Sequence, residues 1–192
     1  MSLTPSTMLE LGTQAPPFAL SEPATGNTVS LQDYAGAPVA VAFICNHCPY
    51  VKRIKEGLSV FAREYAGRGL GFVAINANDV TTYGDDSPEK MIADVKQFGY
   101  EFPYLFDDDQ TVAAAYQAAC TPDFFLFDAS HKLVYRGQFN DARPNNDVPV
   151  TGADLRAAAD AVLAGNAPSA DQKASLGCNI KWKTGNEPAY AA

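Results

Sequence analysis

Cys45-Asn46-His47-Cys48-Pro49 follows an unbroken apolar run, Val39 to Ile44, and precedes a segment with helical periodicity. Two cysteines separated by two residues on a strand-to-helix turn read as a redox dithiol. Amides in a first helical turn lack intrahelical partners and carry the positive end of the helix dipole, so a thiolate there is stabilised and its pKa falls. The second thiol lies within reach of the first, which lets a mixed disulfide be resolved within one turn. The same spacing is half of a zinc site, for which Cys120, Cys178, His47 and His131 are the remaining candidate ligands. Cys120 and Cys178 are singletons far apart in the chain, whereas structural zinc ligands usually arrive as two close pairs; the redox reading is preferred.

On the N-terminal side, Phe18-Ala19-Leu20 and Thr28-Val29-Ser30 flank Ala24-Thr25-Gly26-Asn27, a pattern that predicts a small hairpin. Val39 to Ile44 lacks polar alternation, as a strand covered on both faces does. On the C-terminal side, Val51, Ile54, Leu58, Phe61 and Tyr65 recur at spacings of three and four, which predicts a helix ending near Gly67. Leu70 to Ile75 reads as a second buried strand, and a crossover of this length implies a parallel, right-handed βαβ unit. Ser87-Pro88-Glu89 opens a further helix with stripe Ile92, Val95 and Phe98. Pro103 to Phe106 predicts a short strand, Gln110 to Ala119 a short helix, and Phe124 to Phe127 with Leu133 to Gly137 an antiparallel hairpin. Thr151 to Leu163 predicts the last helix, with Thr151 as cap. From Gly165 onward Pro, Gly and polar residues dominate, so residues 165–192 are expected to lie on the surface as a tail without a further element.

With 192 residues, 47% hydrophobic and 19% charged, the chain can bury a full core without disulfides, and residues 1–192 are read as a single domain. No run approaches the length of a membrane-spanning helix. Met1 to Gly12 has neither a basic cluster nor an apolar segment of signal type, so the cytoplasm is the expected location. The formal charge of -8 disfavours phosphate backbones as partners. The acidic clusters Asp85-Asp86 and Asp107-Asp108-Asp109 read as solvated loops and helix starts. Four cysteines in a reducing compartment argue for chemistry over stapling.

The order β-α-β-α-β-β-α, with the dithiol between the first major strand and its helix, matches the thioredoxin fold: an α/β protein with a central mixed sheet flanked by helices. Three stretches carry a family resemblance: Leu11-Gly12-Thr13-Gln14-Ala15-Pro16-Pro17-Phe18-Ala19-Leu20, then Val29 to Gly36, then Cys45 to Tyr50. With Ala119-Cys120-Thr121-Pro122-Asp123 and Gly177-Cys178-Asn179-Ile180-Lys181-Trp182-Lys183, the chain resembles the redoxin branch of the thioredoxin-like superfamily. That branch includes peroxiredoxins of the alkyl hydroperoxide reductase and thiol-specific antioxidant type. A peroxiredoxin sets its peroxidatic thiolate in P-x-x-x-[TS]-x-x-C, with a distant Arg. On that pattern Cys48 takes the peroxidatic position, but Cys45 replaces the Thr, Val41 replaces the Pro, and Pro122 stands where the Arg would be. Arg136 and Arg143 are the residues that could substitute for it in space. The resemblance to thioredoxins implies instead that Pro122 is a cis-proline beside the dithiol.

The activity this implies is thiol–disulfide exchange against a protein or small-molecule disulfide and a thiol reductant, with no metal and no organic cofactor. The alternatives are a thiol peroxidase and a non-enzymatic zinc or binding module. Cys45, expected at the helix start with a pKa lowered by that position and by His47, is the expected nucleophile, and Cys48 the resolving thiol. Cys120, just before Pro122, reads as either a relay or a buried small hydrophobe. Cys178 could pair with Cys120 or fold over the dithiol. Tyr50 and Phe124 are expected at the dithiol rim, and Trp182 is expected to pin the tail to the body.

Overall fold

The computed structural model describes residues 3–191. A short strand β1 (Leu3–Pro5) precedes the expected hairpin, β2 (Ala19–Ser21) and β3 (Thr28–Ser30), which is antiparallel. Then come β4 (Val39–Phe43), helix α1 (Pro49–Ala66), β5 (Gly71–Asn76), α2 (Pro88–Phe98), β6 (Tyr104–Phe106) and α3 (Thr111–Ala115). The chain continues through β7 (Cys120–Thr121), β8 (Asp123–Phe127), β9 (Leu133–Gly137), α4 (Ala153–Leu163) and β10 (Leu176–Asn179). Strands β4, β5 and β6 are parallel neighbours, while β8 and β9 add antiparallel on the other side of β4. The result is a seven-stranded mixed sheet in the order β3-β2-β6-β5-β4-β8-β9.

Strand β4 sits near the middle of that sheet and is wholly buried, which is why its sequence shows no polar alternation. Ala40, Ala42 and Ile44 face a core layer under α1, α2 and α4, together with Leu58, Phe61, Met91 and Leu155. Val39, Val41 and Phe43 face the opposite layer, built from Phe18, Leu31, Val112, Tyr116, Phe125, Phe127 and Ile180. Burying each of the phenylalanines in these layers contributes about 2 kcal/mol. The apolar stripe of α1 lies inside as expected, and the helix ends at Ala66 with Gly67 following.

Several expectations are corrected. Helix α3 is shorter than Gln110 to Ala119, because Gln110 adopts a left-handed conformation and the chain leaves the helix at Tyr116. Helix α4 starts after Gly152, which is the cap in place of Thr151 because its carbonyl accepts the first helical bond, from the Arg156 amide at 2.8 Å. The tail contains a buried strand. Antiparallel β10 joins β1 on one side and β7 on the other to form a second, three-stranded sheet. Gly177 and Cys178 are buried within it. The strand was hidden in the sequence because four residues, Leu176 to Asn179, are too few to show periodicity; what recruits them is pairing with the edges of β1 and β7. Beyond β10, Trp182 packs on the core layer that holds Phe18 and Phe125 and meets Tyr190 edge-on, holding the tail as expected. Asp86 and Asp107, read as solvated, are fully buried. Asp107 accepts from the Val112 and Ala113 amides and so caps α3. Among the described residues, no helix is long and apolar enough to cross a membrane.

Candidate active site

The peptide between β4 and α1 brings Cys45 and Cys48 to the carboxyl end of the central strand. Pro49 is the first residue of α1, where the missing amide proton costs nothing, so Cys48 and not Cys45 is the N-cap. Cys45 lies three residues before the N-cap, and both cysteines are buried. The loop between them is held by residues far away in sequence. Asp86 Oδ1 accepts from the Asn46 and His47 amides at 2.8 and 3.1 Å. The Asn46 side chain accepts from the Tyr104 hydroxyl at 2.9 Å and donates to the Asp85 carbonyl. Lys55, buried one turn and a half into α1, donates to the Asn46 carbonyl at 3.2 Å and pairs with Asp94.

His47 is directed away from the role expected of it. Its Nδ1 lies 2.6 Å from Asp86 Oδ2, and a carboxylate only accepts, so that nitrogen carries the proton and spends it on Asp86. The Cys45 sulfur is 4.0 Å from the same nitrogen, and the ring stacks on Tyr83. The Asp86 carboxyl is held below its ordinary pKa, against its burial, which is the largest single influence and raises it, by His47, Asn78 and the Asn46 amide together.

The expectation of an acidic Cys45 is overturned. Burial pushes its thiol up, helped by its hydrogen bond to Cys48 and by the neighbouring Asp86 charge, while Thr121 Oγ1 at 3.2 Å opposes them. Cys48 moves the other way, down to about 5. The Cys45 thiol is the main cause, burial resists, and the Cys178 thiol and Val51 amide add to the stabilisation. The Thr121 carbonyl, 3.1 Å from the Cys48 sulfur, favours the protonated form but is outweighed by these donors. The physical reason is position: Cys48 sits at the start of α1 with two other thiols against its sulfur, and Cys45 is buried beside a carboxylate.

The Thr121–Pro122 peptide bond is cis, as the resemblance implied. Thr121 spans both thiols, its hydroxyl toward Cys45 and its carbonyl toward Cys48. Cys120 is buried with its sulfur 3.5 Å from the Pro122 carbonyl, and burial raises its pKa. Cys178 stands opposite Thr121 in the β10–β7 pairing, not opposite Cys120, and its sulfur is 2.9 Å from that of Cys48. Asp123, wholly buried after the proline, has its carboxyl raised to about 7 by burial. Phe124 is a core residue stacked on Phe139, whereas Tyr50 is half-buried beside α1's start. The arginines considered for a peroxide pocket are bound elsewhere: Arg136 to Leu9 and Gln172, Arg143 to Asn140, Ala142 and Gln138.

A metal would find three ligand types together in Cys45, His47 and Asp86, whose donor atoms lie within 4.8 Å of one another. Both Asp86 oxygens are already engaged, by two amides, His47 and Asn78, so a metal there would have to break the bonds that hold the loop. His131 is remote, with Nε2 against the Tyr34 carbonyl. Sequence reasoning missed Asp86, Asn78, Lys55, Tyr104 and Thr121. Lys55, Asn78, Asp86 and Tyr104 lie 7 to 56 residues beyond Cys48 in the chain, and none of the four lies in a local motif that would single it out.

Known proteins share this fold. A structure of a conserved protein from Geobacillus kaustophilus superposes with a TM-score of 0.93 at 52% identity, covering 95% of this chain and 97% of that one. A thiol:disulfide interchange protein DsbE from Chlorobium tepidum superposes with a TM-score of 0.54 at 26% identity, over 67% of this chain and 84% of that one. In sequence, the thiol-disulfide oxidoreductase ResA of Bacillus thuringiensis is 25% identical over 66% of this chain and 68% of its own. A Mycobacterium tuberculosis protein bearing a peroxiredoxin name is 34% identical over 60% of this chain and 69% of its own. The fold is thus thioredoxin-like, the two sequence relatives bear thiol-disulfide oxidoreductase and peroxiredoxin names, and, because the model of the AhpC/TSA family matches residues 11–136, this chain belongs to that family.

Proposed function

We propose that the protein is a thiol–disulfide oxidoreductase in which Cys48 is the attacking thiolate. The observation that carries this reading is the seat of Cys48 at the N-cap of α1, with the Val51 amide, Cys45 and Cys178 all placed to stabilise negative charge on its sulfur. A thiolate at neutral pH attacks one sulfur of a bound disulfide, forms a mixed disulfide and expels the other half as a thiol. A neighbouring thiol then attacks Cys48 and releases the second half, and an external thiol reductant restores the reduced enzyme. The partners are a disulfide, small or carried by a protein, and that reductant.

The peroxidase alternative draws support from the peroxidatic position of Cys48 and from the M. tuberculosis relative. Against it stands the engagement of Arg136 and Arg143 with other groups. The deciding measurement is the rate at which fully reduced protein consumes glutathione disulfide, compared with hydrogen peroxide, in the wild type and in Cys48→Ser and Cys45→Ser. Faster disulfide consumption that vanishes in Cys48→Ser is the expected result. Peroxide turnover faster than exchange, and dependent on Cys48, would replace this reading with the peroxidase one.

A further inference from the structure

Cys178 is carried to the dithiol by construction. Strand β10 pairs with β7 so that Cys178 lies opposite Thr121, and Thr121 is the residue that contacts both sulfurs of the dithiol. The preceding residue is glycine, and a Cβ there would collide with the Thr121 carbonyl, 2.6 Å from its carbon. Gly177 therefore permits the close approach that sets the Cys178 sulfur 2.9 Å from Cys48. The chain after β10 is anchored on both sides. Ile180 N–H donates to the Ala119 carbonyl at 3.1 Å, and Asp79 N–H to the Lys181 carbonyl at 2.8 Å. Asn78 ties the two regions directly: its Oδ1 accepts from the Lys181 amide, and its Nδ2 donates to Asp86, which holds the dithiol loop.

From this arrangement we infer that Cys178 is a third catalytic thiol, the one that resolves the mixed disulfide on Cys48, so that turnover passes through a Cys48–Cys178 disulfide. The inference rests on the oxidoreductase reading and names its resolving residue. The Cys48 thiolate attacks RSSR, giving Cys48–S–SR and RS⁻. The Cys178 sulfur then attacks the Cys48 sulfur, breaking its bond to SR; the Cys178 proton passes to a departing thiolate. In sum, Cys48–S⁻, Cys178–SH and RSSR give Cys48–S–S–Cys178, RS⁻ and RSH. Once Cys48 is in the mixed disulfide its negative charge is gone, and with it two of the three influences that hold the Cys178 proton in place; burial alone remains. Cys48 is completely covered in the reduced protein, so the disulfide reaches it only when β10, paired with β7 at two residues and with β1 at three, moves aside. The return of β10 delivers Cys178.

The test oxidises the reduced full-length protein with one equivalent of glutathione disulfide, quenches with acid, alkylates remaining thiols and maps the cross-links by peptide mass spectrometry. Wild type and Cys45→Ser are expected to yield a Cys48–Cys178 cross-link. Cys178→Ser is expected to accumulate glutathione on Cys48, with release of the second glutathione slowed at least tenfold. Gly177→Ala, which leaves every thiol in place, is expected to slow the second release more than the first. A wild-type map with only Cys45–Cys48, and with Cys178 fully alkylated, overturns the inference while leaving the oxidoreductase reading intact. Failure of the wild type to consume glutathione disulfide at all overturns both.

Discussion

Helices α1 and α2 begin alike. Each opens with Pro at its first position after an extended N-cap, Cys48 at φ -63° and ψ 125°, Ser87 at φ -61° and ψ 157°. Both present the same free amides and the same dipole end. At α2 the cap hydroxyl is half-buried and interacts with Glu89, an ordinary helix start. At α1 the cap is a buried thiol with two other thiols and a backbone carbonyl around it. A helix terminus thus supplies a modest bias toward negative charge, about 0.3–1 kcal/mol. The larger displacement at Cys48 comes from what the tertiary structure packs against it.

That contrast can be broken most severely at the cap itself. Cys48→Ser makes α1 resemble α2 and is expected to reduce disulfide exchange to the uncatalysed background, measured as thiol release from glutathione disulfide. The next largest effect is on titration. Alkylation of Cys48 with iodoacetamide should rise with pH around a midpoint of about 5 and be flat through neutrality. A cysteine introduced by Ser87→Cys should titrate within about one unit of the free value of roughly 8.5, since the dipole acts on it without the sulfur neighbours. Equal midpoints would mean that the helix end alone accounts for Cys48.

Asp86 links the two termini, standing immediately before the α2 cap while its carboxylate holds the loop before α1. Asp86→Asn keeps the shape but sets an amide group against donors, and is expected to lower stability by about 3 kcal/mol in urea unfolding at pH 7. Because its folded pKa is depressed, the stabilisation Asp86 contributes is present above the unfolded value near 3.9 and is lost as pH falls through the folded one. The difference between wild type and variant should therefore shrink in acid. The smallest effect is at Ser87→Ala. With no hydrogen bond from that hydroxyl to the α2 backbone, the loss should stay below about 0.5 kcal/mol, under the usual cost of removing a cap.

Much of the fold was legible because its central elements are long, periodic or uniformly apolar. The β4–α1–β5 unit, the α2 start at Ser87-Pro88, the β8–β9 hairpin and the N-terminal hairpin all carry their geometry in local pattern. The dithiol and Pro122 were legible as motifs. Strands β1 and β10 were not, because three or four residues without periodicity become a strand only when a neighbouring edge offers them hydrogen bonds. Burial of Asp86 and Asp107 was hidden for a related reason: their sequence neighbours are polar, and only the amides they meet in space make burial tolerable.

The sequence by itself determined a thioredoxin-like α/β body with a C-x-x-C at the end of its central strand, since hydrophobic period and spacing act over a few residues. The tertiary structure alone decided which cysteine bears the charge and which thiol stands beside it. Those properties depend on burial, on the Asp86 carboxylate 38 residues beyond Cys48 and on a tail thiol 130 residues away, and electrostatic and packing interactions follow distance in space, not in the chain.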